Sequence, residues 1–148
     1  MKTIVLGIGN PILKDDSVGI KVVEEVKKRA EVDVDFMMST DLDVVYKLMG
    51  YEKAIVVDGI KTGNEPGTIY VLSLDDLFVS YKFSSSHSLD LATAIKIGYE
   101  VFKDEMPKDL KIIAIEVDDA NSFGYNCSES VRRAIPEAVK IILRELEG

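Results

Sequence analysis

Gly7-Ile8-Gly9-Asn10-Pro11-Ile12-Leu13-Lys14-Asp15-Asp16-Ser17-Val18-Gly19 joins an apolar run to an amphipathic one through glycines and ends in paired carboxylates. It reads as a strand, a loop and the start of a helix. Gly7 and Gly9 allow backbone angles or close approaches that a Cβ would obstruct, and Pro11 discourages helix before the loop is complete. Asp15, Asp16 and Ser17 are all capable N-cap residues, and both aspartates favour the positive end of a helix. One cap needs only one of them, which leaves a carboxylate for another use. A dinucleotide site fits the stretch poorly: the third glycine of Gly-x-Gly-x-x-Gly is missing, and acidic side chains near the helix start would repel a pyrophosphate. A cation suits this loop better than an anion.

Outward from that loop, the chain alternates strand and helix patterns. Thr3 to Leu6 is β-branched and apolar, suited to a buried parallel strand, and Val18, Val22, Val26 and Ala30 mark one face of a helix. Val32 to Met37 has strand periodicity, and Asp41 with Val44, Val45, Leu48 and Met49 before Gly50 reads as a short capped helix. Ala54 to Val57 is a further apolar strand, expected to stop at Asp58-Gly59. After turn-rich Lys61 to Gly67, the run Thr68 to Leu72 lacks the helix of a parallel unit and is predicted antiparallel. Ser84 to Ser88 belongs to a polar loop, with Ser88 as N-cap of a helix carrying Leu89, Ala92, Ile95, Tyr99 and Phe102. Leu110 to Val117 is the last strand. Ile135, Ala138, Ile142 and Leu146 line the last helix, which Pro136 either opens or kinks.

This alternation predicts one α/β domain over residues 1–148. It is a three-layer sandwich whose mostly parallel five-stranded sheet, with one antiparallel strand, is covered by helices on both faces. If the strand ending at Asp58 lies beside the first strand, with the second on the other side, the topological switch point falls between Gly9 and Asp58. Ligands of open α/β sheets bind at such points.

Composition narrows the partners. At 148 residues, 47% hydrophobic and 30% charged, the chain has the make-up of a soluble globular protein. Its formal net charge of −8 argues against nucleic acid or an anionic membrane, both of which call for basic patches. Cys127, the single cysteine, excludes an internal disulfide and a multi-cysteine metal site built from one chain. A reducing cytoplasm is the expected setting. Ile4 to Ile8 is too short for a signal-peptide core, and no stretch reaches membrane-spanning length, so neither export nor membrane insertion is expected.

Three side chains stand where they could share the crevice: Asp16 after the first strand, Asp58 at the end of a neighbouring one, and His87, the only histidine, directly before a helix. Two carboxylates and one imidazole suit nickel, zinc, iron or manganese and leave coordination positions open. The ordinary readings are a helix cap for the aspartate and a surface position for the histidine. A serine hydrolase fits poorly, because His87 is the only possible base for the serine run and no Gly-x-Ser-x-Gly elbow occurs. Asp118 to Gly124 reads as a solvated loop, and Cys127 as a bystander.

Gly7-x-Gly9-Asn10 followed by Asp15-Asp16-x-x-Gly19, then Asp58-Gly59 with Gly63 to Gly67, then Ser86-His87, resembles the hydrogenase maturation endopeptidases over nearly the whole chain. The resemblance implies an α/β fold and removal of the C-terminal extension from the large-subunit precursor of nickel–iron hydrogenases after metal insertion. It puts the metal-contacting roles on Asp16, Asp58 and His87, with nickel carried by the substrate and no organic cofactor. Many members have glutamate at the first position, so Asp16 reaches one methylene less far. Glu116-Val117 and Ser122-Phe123-Gly124 look most like archaeal members serving coenzyme F420-reducing hydrogenases. The alternatives are a metal-dependent chaperone that holds the precursor without cutting it, and a nucleotide-binding module.

Overall fold

Strands that carry aliphatic side chains on both faces are stable only inside a sheet covered on both sides. The computed structural model describes residues 2–38, 41–79 and 88–148, with the backbone alone for 77–79 and 88–90. Its strands β1 (Thr3–Ile8), β2 (Asp33–Met37), β3 (Lys53–Ile60), β4 (Ile69–Ser73) and β5 (Asp109–Glu116) form a sheet in the order β2-β1-β3-β5-β4. All neighbours are parallel except β4, which runs antiparallel to β5. The helices are α1 (Val18–Arg29), α2 (Asp43–Leu48), α3 (Leu74–Val79), α4 (Ser88–Phe102) and α5 (Glu129–Glu147).

Alternation along the strands sorts the core into two layers. Val5, Ile55, Val57, Ile113 and Ile115 face α1 and α5, where they meet Val22, Val26, Val131, Ala138 and Ile142. Ile4, Leu6, Ala54, Val56 and Ile112 face the other way, onto Val44 and Leu48 of α2 and Leu91 and Ile95 of α4. Each such aliphatic side chain contributes roughly 1.5–3 kcal/mol on burial. The expected three-layer sandwich with one antiparallel strand is what forms, and β1 lies between β2 and β3. The switch point is therefore at the carboxyl ends of β1 and β3.

The seating of α1 over this point depends on Gly19. A Cβ there would stand 2.5 Å from the Val57 carbonyl oxygen and 2.6 Å from that of Ile8, so the helix start rests directly on the end of β1 and on β3 just before Asp58. Gly19→Ala is expected to destabilise the fold by about 2–3 kcal/mol. Urea unfolding at unchanged m-value would show it, and wild-type stability would mean that α1 is seated elsewhere.

Several expectations need correction. β3 does not stop at Asp58-Gly59: it continues to Ile60, because β5 runs alongside it, with Asp58 opposite Ala114 and Ile60 opposite Glu116. β1 likewise runs on to Ile8. Pro136 does not open the last helix, which begins at Glu129 and carries the proline inside it. The helix α3 was not anticipated. Asp41 does act at the start of α2, where its Oδ1 accepts the Asp43 N–H at 2.9 Å. The polar loop at 84–87 lies outside the described residues.

Candidate active site

Asp58 is brought to the carboxyl edge by β3, every residue of which is buried. Its side chain is 1% exposed, and among the described residues neither carboxylate oxygen has a hydrogen-bond partner. Burial pushes its pKa well above the ordinary 3.8 and the charge of Asp16 pushes it further; the Gly59 N–H, close to the carboxyl but outside hydrogen-bond geometry, opposes the shift only in part. Buried polar groups are nearly always paired. An orphaned carboxyl beside a second carboxylate is an arrangement that a cation would satisfy, and hard oxygen donors fit a divalent first-row metal.

Asp16 reaches the same place from the β1–α1 loop. It lies in a 3-10 turn, Lys14–Ser17, and is 4% exposed, with Oδ2 accepting the Asn10 N–H at 2.9 Å. A Cβ on Gly9 would come within 2.0 Å of the Asp16 carbonyl oxygen, so the glycine is demanded by the approach of the turn to its own strand. The expected cap is not made. Ser17 precedes α1 without a side-chain capping bond, and its hydroxyl donates to the Lys14 carbonyl at 2.6 Å instead.

Asp15 points elsewhere. Fully buried, it accepts hydrogen bonds from the main-chain N–H of Asp118, Asp119 and Ser128 and from the Ser128 hydroxyl, at 2.6–2.9 Å. The 118–124 segment is thus the partner of the site loop as well as a solvated loop. Lys14 N–H donates to the Gly124 carbonyl at 2.9 Å, and Gly124 N–H to that of Ile12 at 2.8 Å. Hydrogen bonds from the Ser122 N–H and side chain and the Asn121 N–H hold the Asp119 carboxyl down at about 2. Ile12, Phe123 and Tyr125 stand exposed beside this lacing.

Glu116, at the end of β5, plays a comparable part on the other side of the edge. Also fully buried, it takes the Thr62 N–H at 2.7 Å, the Thr62 hydroxyl, and the Tyr70 hydroxyl at 3.1 Å, which folds the 61–68 turn back onto the sheet. The roles of Asp15 and Glu116 were not read from the sequence; an acidic residue at the end of an apolar run was the available signal for both.

His87 lies outside the described residues, so the described site consists of the two carboxylates. Among the described residues, no group of three His, Cys, Asp or Glu side chains is arranged to hold a metal ion. Cys127 is half-buried, 3.6 Å from the Ser17 hydroxyl. Burial raises its thiol pKa despite the opposing effects of Ser17 and of Lys21, an electropositive neighbour that the sequence reading did not place there. The glycine turn offers no phosphate cradle. Gly9 N–H donates to Met37, Leu13 N–H to the Asn10 carbonyl, Asn10 N–H to Asp16 and Ile12 N–H to the Asn10 side chain, which speaks against the nucleotide module.

The fold and the site define an open α/β protein with two buried carboxylates at the switch point of its sheet, and comparison with known proteins narrows the class. The HycI family model, hydrogenase maturation protease, matches residues 20–145, a span that includes Asp58 and His87 and begins just past Asp16. The hydrogenase expression/formation protein HupD of Rhizobium leguminosarum is 28% identical, over 99% of this chain and 75% of its own length. The hydrogenase 2 maturation protease of Escherichia coli is 26% identical, over 78% of this chain and 73% of its own. The solved structure of the hydrogenase maturating endopeptidase HybD from E. coli superposes with a TM-score of 0.80 at 24% identity, covering 99% of this chain and 93% of that one. This chain belongs to the hydrogenase maturation protease family and is an endopeptidase acting in hydrogenase processing. That membership displaces the non-cleaving chaperone. Among the described residues, no helix is long and apolar enough to cross a membrane.

Proposed function

We propose that this chain, acting as one domain in the cytoplasm, removes the C-terminal extension of the nickel–iron hydrogenase large-subunit precursor once nickel is in place. Asp16, Asp58 and His87 grip the nickel that the substrate carries. The observation that supports this reading is the orphaned Asp58 carboxyl, buried beside Asp16 at the switch point of the sheet. Such a group costs the fold stability unless something outside the chain completes its bonding. A substrate-borne cation does so only when the precursor docks, which ties engagement to the presence of metal.

With the nickel held, the scissile peptide is oriented at the edge between the loops that Asp15 and Glu116 pin. Water polarised there adds to the carbonyl carbon, the C–N bond breaks and the leaving amine takes up a proton. No organic cofactor is required. The tail segment around Ser122-Phe123-Gly124 supports a coenzyme F420-reducing hydrogenase as the enzyme being matured.

The test is a gel assay on nickel-loaded precursor. Wild type should shorten it, and His87→Ala should leave its mass unchanged while melting within about 0.5 kcal/mol of wild type. A variant that cleaves normally, or that unfolds early, removes His87 from the ligand set.

A further inference from the structure

We propose that Asp15 is the positioning residue of this site: by accepting the hydrogen bonds that the 118–128 loop aims at it, its carboxylate sets the neighbouring Asp16 in front of Asp58. The inference rests on the reading of Asp16 as a ligand. It arises from a buried carboxyl group that the chemistry above does not use. Asp15 Oδ1 accepts the Ser128 N–H at 2.6 Å, while Oδ2 accepts the N–H groups of Asp118 and Asp119, both at 2.9 Å, and the Ser128 hydroxyl at 2.8 Å. Four hydrogen bonds converge on its two oxygens, so this side chain has one direction available to it.

The backbone carries that constraint to Asp16. Asp15 N–H donates to the Asp119 carbonyl at 2.9 Å, and Asp16 N–H to that of Leu13 at 2.8 Å. Successive side chains in a 3-10 turn diverge by about 120°. Fixing Asp15 towards the loop therefore turns Asp16 away from it, towards β3. The Asp15 carbonyl oxygen sits 3.6 Å from where a Cβ would project on Gly59, the residue after Asp58, so the main chain between the two aspartates is seated against β3.

The 118–128 loop does not depend on Asp15 alone. Lys61 Nζ donates to the Asp118 carbonyl at 2.6 Å, Val117 N–H to that of Ile60 at 2.9 Å, and Gly124 N–H to that of Ile12 at 2.8 Å. Altering the Asp15 carboxylate should leave the loop in place and release the seat of Asp16. Asparagine cannot substitute, because its single carbonyl serves the donors on one side while its NH₂ faces N–H donors on the other.

The experiment compares Asp15→Asn with wild type in two readouts, at a temperature where circular dichroism shows both folded. Cleavage of nickel-loaded precursor should fall by about 100-fold in kcat/KM, the scale of a small misplacement of a reacting group. Amide exchange of the free enzyme should accelerate at Asn10, whose N–H is held by Asp16, by at least about 10-fold, with the Gly124 amide unchanged. Equal acceleration at Asn10 and Gly124 would reduce Asp15 to a structural clamp and overturn the proposal, as would undiminished cleavage. Should Asp15→Asn not fold, Ser128→Ala, which deletes one donor and keeps the main-chain ones, is put through the same two measurements with the same signs expected. Asp16→Ala cleaving at the wild-type rate would instead sink the underlying reading of Asp16, whereas an inactive Asp16→Ala beside a fully active Asp15→Asn sinks this inference alone.

Discussion

Asp58→Asn is expected to reduce precursor cleavage by at least about 100-fold, more than the loss of an outer-shell partner of a metal ligand, and at the same time to make the free protein more stable at neutral pH. Activity falls because the amide keeps the shape of the carboxyl but not its charge. Stability rises because Asp58 is buried with both oxygens unpaired beside Asp16, which holds its pKa well above 3.8. The direction follows from linkage. Between the ordinary aspartate value and the raised folded one, the native state binds a proton that the unfolded state has released, so stability falls as pH rises through that interval. Below pH 3.8 both states are protonated and the penalty vanishes. The gain from Asp58→Asn should be absent in acid and grow by about 1.4 kcal/mol per pH unit above that point until the folded pKa is passed. Urea titrations of both proteins across pH measure the slope. A variant less stable than wild type at pH 7 would mean that the Asp58 carboxylate is satisfied in the native protein.

This dependence on distant neighbours explains what the sequence could and could not disclose. The β1–α1 junction was legible because its chemistry is local: glycines at a close approach, an apolar run before them, carboxylates after. The placement of Asp58 beside β1 was conditional on a strand order that the sequence left open and the sheet supplies. Its position inside β3 did not, since the ladder that extends the strand to Ile60 is supplied by β5, which begins only at Asp109. The partners of Asp15 lie 103 to 113 residues away, beyond any window of periodicity. A capping use for Asp15 was therefore the natural expectation, and the fold overrode it with better donors. α3 is a different case. Ser73 and Asp76 form a reciprocal pair, in which Ser73 N–H donates to Asp76 Oδ2 at 2.8 Å and Asp76 N–H to the Ser73 hydroxyl at 3.4 Å. That is the Ser-x-x-acid signature of a helix start, present in the sequence but attached to a helix too short for its periodicity to register.

Nickel-loaded precursor is expected to be cut at least about 100-fold faster than apo precursor, while the free enzyme binds nickel no more tightly than the micromolar range. The three side chains proposed as ligands would leave part of a coordination shell unfilled, and the described pair carries a cost of its own: for Asp58 to ionise it must lose a proton that burial and Asp16 retain. A free metal ion has to meet that cost alone. On the proposed reading, nickel already held by substrate thiolates would arrive with the rest of its shell and with the binding energy of the docked precursor behind it. Selectivity requires this weakness, because an enzyme saturated with its own ion would make the same contacts with loaded and empty precursor and could not tell them apart. Titration calorimetry with nickel on the purified protein checks the affinity, and cleavage of apo and loaded precursor by chelator-treated enzyme checks the discrimination. Stoichiometric nanomolar binding by the free protein, or equal cleavage of the two precursors, would turn the assignment towards a metalloprotease that activates water on an ion of its own.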